Sequence, residues 1–264
     1  SMGQSKTDLL ERFAARAEDR PLLGRLLDLS EAADRRGRAQ PSRFLDARQQ
    51  GLAAALLNAA GRPYLLWGGY EEAERRVVVL LPDSSEPPER HASSAGIAVL
   101  RADTATRGLS HRDYLGALMG QRIERELIGD ILVGDYGAQI LACREIVPFL
   151  LQNFTGAGRA RLTLSEISPD ELRLPVRQME RRRDFVSSLR LDCVVACGFR
   201  LSRREAAEAV YAGRVLVDGL PCEKPDRQMT PGQMLTLRGK GRVTLEQVGG
   251  LSRKGRIAVT LLVW

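Results

Sequence analysis

Apolar residues recur at helical spacing from the start of the chain. Leu9, Leu10, Phe13 and Ala17 share one helix face, and Pro21 opens a second helix carrying Leu22, Leu23, Leu26, Leu27 and Leu29. Residues 37–41 break the pattern. Asp46, followed three residues later by Gln49, has the form of a capping box and opens a helix through Leu52, Leu56 and Leu57 to Gly61. Two short apolar runs, 64–67 and 76–81, read as strands around the turn residues Gly68 and Gly69.

Residues 82–95, rich in Pro, Ser and Glu, read as a surface loop, and 97–100 as a strand. Ser110 and Asp113 frame a helix N-terminus, with Tyr114, Leu115, Leu118 and Met119 as its apolar face. Gly116 and Gly120, four apart on that helix, predict the close approach of another backbone. Runs 131–133 and 138–143 flank Gly134-Asp135-Tyr136-Gly137 and predict a hairpin; a short helix follows over 147–154, then a strand over 161–167.

Polar residues 168–174, with Pro169 inside and Pro175 just beyond, mark a linker. After it a basic run, 177–183, leads into a predicted helix over 185–199, with Phe185, Leu189, Val194 and Cys197 on one face. The pattern predicts a multidomain α+β protein. Its expected parts are an N-terminal α/β unit (1–75), a middle α+β domain of RRM- or ferredoxin-like type (76–168), a linker (169–182) and a C-terminal domain (183–264). The last strand, 256–263, is expected to pack back onto that C-terminal domain.

Charge changes this picture. The 264 residues carry a net +7. From residue 173 onward there are 18 Lys+Arg against 9 Asp+Glu, so the last third holds a surplus of nine while the rest is slightly acidic. A domain-sized basic excess points to a polyanion, nucleic acid before anionic lipid. Codon bias explains why 36 of the 40 basic residues are arginine, but not why the surplus sits at one end. Four cysteines without framework spacing read as reduced thiols, and with no apolar run of membrane-spanning length and no leader pattern the expectation is a cytoplasmic chain without an integral membrane segment. Ser1 ahead of Met2 reads as a tag remnant.

The most informative stretch is 200–219, RLSRREAAEAVYAGRVLVDG. Ser202 and Glu205 form a capping box, so a helix starts at Arg203. Ala206, Ala207, Val210 and Tyr211 are its expected buried face, and Gly213 ends it. Residues 215–217 form a short strand before the tight-turn pair Asp218-Gly219. Arg203 and Arg204 occupy the first turn, where the helix dipole disfavours cations by roughly 0.3–1 kcal/mol each. Two readings are open: both arginines are solvated at small cost, or a phosphate at the helix start offsets them. With Arg200 and Arg214 bracketing the same helix, phosphate is favoured.

RLDxVV, then GFRLSRREAAEAVYAGRVLVDG, then an apolar strand after Pro231-Gly232 closely resembles the S-four RNA-binding domain (the αL motif) over about 183–241. The resemblance implies that two helices and a following loop grip structured RNA through its backbone. The matching positions are Arg190, Arg200, Ser202, Arg203, Arg204, Arg214 and Lys224; Asp218 stands where members often carry Asn. Upstream, LSHRDYLGALMG followed by IxRELIGDILV, with the stretch 44–49 and Trp67-Gly68-Gly69-Tyr70, is similar to the YlmH-type proteins, so the resemblance spans nearly the whole chain. It implies a non-catalytic, cytoplasmic binder of structured RNA, chiefly ribosomal RNA of the large subunit and in related factors peptidyl-tRNA, needing no cofactor or metal; the oligomeric state is left open, with a monomer as the default expectation. His111 and Arg112, at a helix N-terminus, are candidates for a second RNA contact.

Rival readings are an RNA-modification enzyme with an appended S-four domain and a division-site or membrane-surface adaptor. Arg190-Leu191-Asp192 matches the Arg-Leu-Asp of pseudouridine synthases, but only 72 residues follow it, and Asp192 reads as structural. Gly156-Ala157-Gly158 lacks the third glycine of a cofactor loop and precedes a strand. His111-Arg112-Asp113 matches a kinase tripeptide without its glycine loop, and His91 reads as a loop residue. Cys193 and Cys197 read as small core residues, and Arg122 and Arg125 as a solvated face paired with Glu124 and Glu126.

Overall fold

The computed structural model describes residues 5–83, 86–175, 179–237 and 239–264. The chain divides into two compact units, with the division after Pro175. No helix among the described residues is long and apolar enough to cross a membrane.

The first unit begins with helices α1 (Lys6–Phe13) and α2 (Asp19–Arg36); Gly37, in the left-handed region at φ 64°, ends the second. Strand β1 (Gln40–Pro41) leads to α3 (Ala47–Ala59), opened by the expected Asp46–Gln49 capping box. Strands β2 (Tyr64–Trp67) and β3 (Val77–Leu80) complete an antiparallel sheet of order β1-β3-β2. A 3-10 turn over Pro88–Ala95 falls inside the expected surface loop.

There follow β4 (Ile97–Asp103), α4 (His111–Gly120), β5 (Ile128–Gly134), β6 (Gly137–Cys143), α5 (Val147–Asn153), a two-residue pair β7 (Gly156–Ala157) and β8 (Ala160–Arg161), and β9 (Thr163–Ile167). The main sheet runs β5-β6-β4-β9, antiparallel throughout, with two helical crossovers. This is the ferredoxin-like βαββαβ arrangement the pattern predicts.

Strand β3 explains why these parts form one unit. Its Val78 and Leu80 join the leucines of α1–α3, while Val77 and Val79 join the core of the second sheet. A strand buried on both faces reads as an uninterrupted apolar run, Val77-Val78-Val79-Leu80. The local pattern separates 1–75 from 76–168, but β3 belongs to the first sheet and shares its other face with the second. Arg43 fastens the same junction with ion pairs to Glu124 and Glu126, both 2.6 Å, and Glu145, 3.0 Å. Glu124 and Glu126 thus both pair with Arg43, a partner from the first sheet's side that the local pattern of Arg122 and Arg125 does not reveal. Arg125 donates to the Ile128 carbonyl, and Arg122 sits at φ 60°. Gly116 and Gly120 face open space, so no close backbone approach occurs there; crowding falls on other glycines, among them Gly129, where a Cβ would lie 2.5 Å from Phe44 Cε1.

The second unit starts with β10 (Glu180–Val186), where the apolar spacing predicts the run-in to a helix. Alternation decides this: residues 182, 184 and 186 are the less exposed set, 181, 183 and 185 the more exposed, and the whole segment pairs with the last strand. The start of the basic run, 177–178, lies outside the described residues. Next come α6 (Leu191–Phe199), α7 (Arg203–Tyr211), β11 (Val215–Val217), β12 (Leu220–Pro221), β13 (Met234–Leu237), β14 (Gly241–Leu251) and β15 (Ile257–Val263). The sheet order is β10-β15-β14-β13-β11-β12, all antiparallel. Asp218 (φ 48°) and Gly219 (φ 84°) make the tight turn that joins β11 to β12. Helix α6 packs so closely on β14 that a Cβ at Gly198 would lie 2.9 Å from Val243 Cγ1.

Candidate nucleic-acid interface

Of the sequence-predicted arginines, Arg190 and Arg203 meet where α6 and α7 begin, Arg200 and Arg204 adjoin Arg203 in the chain, and Arg214 follows the far end of α7. Arg190 is the extended residue before α6, and the chain there is zipped to a later loop. The Leu191 amide donates to the Arg227 carbonyl at 2.8 Å, Asp192 to Pro225 at 3.1 Å, and Met229 to Leu189 at 2.8 Å. This zipper brings the loop carrying exposed Lys224 against the start of α6.

Asp192, almost fully buried, is the hinge of the site. Its carboxylate accepts both arms of the Arg190 fork at 3.1 Å, Arg203 Nη2 at 3.3 Å and the Cys193 amide at 2.9 Å. Burial pushes this carboxyl up, but the hydrogen bonds and charges of Arg190 and Arg203 outweigh it and hold it below the ordinary aspartate range. One carboxylate thus ties together guanidinium groups from the starts of two helices.

Helix α7 is capped as expected: Ser202 Oγ accepts from the Glu205 amide at 3.1 Å, and the Glu205 carboxylate accepts from the Ser202 amide at 2.8 Å. Those hydrogen bonds keep the Glu205 carboxyl below its usual range. The first-turn cations are offset within the protein itself, Arg203 by Asp192 and Arg204 by Glu208 one turn on, at 3.0 Å. A phosphate is therefore not needed to stabilise the folded helix. Arg200 ends α6 in the left-handed region at φ 55°, a strained position for a non-glycine residue. Its side chain, like those of Arg214 and Lys224, is exposed, and none of the three has an acidic partner among the described residues.

Tyr211 departs from expectation. The buried face of α7 is Ala206, Ala209 and Val210, and Tyr211 is 69% exposed. Positions 204, 208 and 211 recur at helical spacing, so the tyrosine continues the exposed stripe begun by Arg204. The signal lay in the sequence: a short helix over one sheet needs only a narrow apolar stripe.

The second predicted contact lies in the first unit. Ser110 and Asp113 form the capping box that starts α4, with His111 and Arg112 as its first residues. The turn between β7 and β8 folds beside it, bringing Arg159 near Asp113, and Arg159 donates to the Arg107 carbonyl at 3.2 Å. The face of this sheet that carries Leu141 and Gln139 is only partly covered: Thr163 and Ser165 of β9, the register partners of Asp103 and Arg101 on that face, are exposed. In an RRM the face opposite the helices stacks bases. Here Gly69 and Phe44 press on its Leu141, and Gln139 exchanges two 2.8 Å hydrogen bonds with the Arg173 backbone.

Other candidate chemistry is spoken for. The aspartate that matches the synthase motif is Asp192, engaged as described. All four cysteines are free thiols; burial pushes Cys143 up to about 12 and Cys197 to about 11, so neither is a thiolate at neutral pH. Among the described residues no group of three or more His, Cys, Asp or Glu is placed to hold a metal.

Two family models match the chain: "Putative RNA-binding domain in YlmH" over residues 98–171, which is the βαββαβ part, and "S4 domain" over 189–235, which contains α6, α7 and the Lys224 loop. The "Ribosome-associated protein quality control protein P2" of Bacillus subtilis is 32% identical over 96% of this chain and 98% of its own length. A solved structure, "Cell division protein ylmH from Streptococcus pneumoniae", shares the fold at a TM-score of 0.50 and 24% identity, over 59% of this chain and 94% of that one. With a relative of that identity aligned nearly end to end, and the two models falling on the two units, the chain belongs to the YlmH family of RNA-binding proteins with a C-terminal S4 domain.

Proposed function

We propose that this protein is a non-catalytic, monomeric, cytoplasmic factor that docks on ribosomal RNA of the large subunit, beside tRNA, in ribosome-associated quality control. The observation that carries the reading is the arginine cluster at the start of α6 and α7: Asp192 holds Arg190 and Arg203 together, with Arg200 and Arg204 adjoining in the chain, and exposed Lys224 and, past the end of α7, Arg214 add further cations to the same unit. Guanidinium forks fixed in place suit the phosphates of a folded RNA, whose shape supplies specificity. Ser202 contributes by fixing the helix start, and Tyr211 offers a face for a base or ribose. His111 and Arg112 supply a second contact. The process comes from the Bacillus subtilis relative, whose name links it to that pathway.

The test is co-sedimentation with isolated ribosomal subunits at low and moderate salt, comparing the native chain with Arg204→Glu/Arg214→Glu. These two side chains are chosen because reversing Arg203 would set a carboxylate against Asp192 and confuse folding with binding. The expected result is salt-sensitive binding to the large subunit that the double variant loses by at least about tenfold, with unchanged melting. Binding to neither subunit, or equal binding by both proteins, overturns the reading.

A further inference from the structure

The hairpin β14–β15 extends beyond the segment that matches the S4 domain, and it carries the second concentration of charge in this unit. Its paired strands run out to Leu251↔Ile257, and the connection closes on itself: the Ser252 amide donates to the Arg256 carbonyl at 2.7 Å, the Gly255 amide to the Ser252 carbonyl at 2.9 Å, and the Arg256 amide to Ser252 Oγ at 3.1 Å. This is an ordered tip. Residues 249–251 and 253–256 are exposed, including Leu251 at 73%.

The tip holds Arg253, Lys254 and Arg256 and no acidic residue. Arg253 and Lys254 have no acidic partner among the described residues, and neither has Arg183 on neighbouring β10; Arg256 donates to the Phe185 carbonyl at 3.0 Å. Further along the same sheet charge is matched, as where Arg181 grips Glu246 at 2.8 Å. Unmatched cations thus gather toward the hairpin end.

A cleft of about 320 Å³ joins this end to the helices. Arg203 of α7 and Arg256 of the hairpin both line it, with Ser187, Ala196 and Leu201 between; Asp184 is its acidic residue and accepts from the Phe185 amide. One cation of the S4 helices, Arg203, and one of the hairpin, Arg256, thus border the same cleft.

We propose that the β14–β15 hairpin is a second RNA-contacting element of this unit. In this arrangement the sugar–phosphate backbone of the RNA docked on α6 and α7 passes along the cleft from Arg203 to Arg256, and its next phosphates meet Arg253 and Lys254. Leu251, exposed beside these cations, packs on a ribose or base edge. The occupant is a polyanion with phosphates in series because the cations are spaced along a groove and a projecting tip rather than converging on one point. This inference rests on the proposed RNA docking of α6 and α7.

The experiment measures binding to purified bacterial large ribosomal subunits across a salt series for the native chain, Arg253→Glu/Lys254→Glu and Arg204→Glu/Arg214→Glu. Melting of each is recorded; the hairpin tip is outside the core, so its charge reversal leaves folding intact. A conservative Arg253→Gln/Lys254→Gln pair guards against repulsion alone. The expected hairpin result is a fall in affinity of about tenfold or more near 0.15 M salt, with a salt slope shallower by about 2, one unit for each phosphate no longer neutralised. If the hairpin variants bind like the native chain while the helix variant fails, the hairpin proposal is overturned and the docking reading stands. If neither set changes binding, both fail. Vesicles containing phosphatidylglycerol form the last arm: capture that depends on Arg253 and Lys254, with subunit binding unchanged, also overturns an RNA role for the hairpin.

Discussion

Asp192→Asn separates two physical effects that a charge reversal would blur. The carboxylate serves Arg190 twice at 3.1 Å, Arg203 at 3.3 Å and the Cys193 amide at 2.9 Å. Asparagine has nearly the same size and can still accept from Cys193, but it cannot hold two guanidinium groups. For folding, a fully buried pair broken on one side costs about 3–5 kcal/mol. Here the Arg190 and Arg203 side chains are 42% and 54% exposed and can turn to water, so screening reduces the expected loss to about 1 kcal/mol. For RNA binding, removing the carboxylate adds one net positive charge, worth about 0.5 kcal/mol at some 8 Å from a phosphate in water before salt screening. Freeing two arginines restores motion that binding must again remove, about 0.5–1.5 kcal/mol per side chain. Preorganisation wins by about 1 kcal/mol, so Asp192→Asn should bind large subunits roughly fivefold more weakly despite its extra charge. Quantitative co-sedimentation at 0.15 M salt, with circular dichroism to establish the fold, measures this. Equal or tighter binding by a folded Asp192→Asn protein would show that Asp192 only neutralises the arginines and does not position them.

Further expectations concern the rest of the molecule. Tyr211→Ala should leave melting within the range of a surface change, about 0.5 kcal/mol, yet weaken subunit binding several-fold; a loss of stability instead would mean the ring packs. Gly129→Ala drives a Cβ into Phe44 and Leu141 and should cost the first unit about 1–3 kcal/mol by thermal unfolding, and a native-like melting temperature would refute the tight packing there. Arg48 grips buried Asp19 with two hydrogen bonds of 2.8 and 2.9 Å, and this contact, opposed by burial, holds the Asp19 carboxyl below its usual range. The pair's contribution is therefore complete above the ordinary aspartate value and is lost as pH falls through the lower folded value. Arg48→Ala should cost about 2 kcal/mol at neutral pH, with the gap to the native chain closing in acid; a pH-independent gap would refute the linkage.

Elements with a local cause are legible in the chain alone. Capping boxes at Asp46, Ser110 and Ser202 each form as the side-chain spacing requires, because a cap is a contact among four consecutive residues. The Asp218-Gly219 turn, the 134–137 hairpin and the arginine-bearing helix α7 are legible for the same reason. So are the βαββαβ order and the basic bias of the last third, which the two family models match as an RNA-binding domain and an S4 domain. How distant groups meet is settled only when the chain folds. Residues 180–186 are compatible with helix or strand by composition, and pairing with 257–263 selects strand. Burial of β3 on both faces merges two stretches that the local pattern separates, and this covers part of the sheet face that an RRM would leave open. Arg203 is unbalanced in the linear sequence; its counter-charge, Asp192, is eleven residues away, and only the packing of α7 beside α6 brings the two to 3.3 Å. Charge and periodicity are properties of the chain, whereas desolvation and ion pairing depend on which surfaces folding brings together.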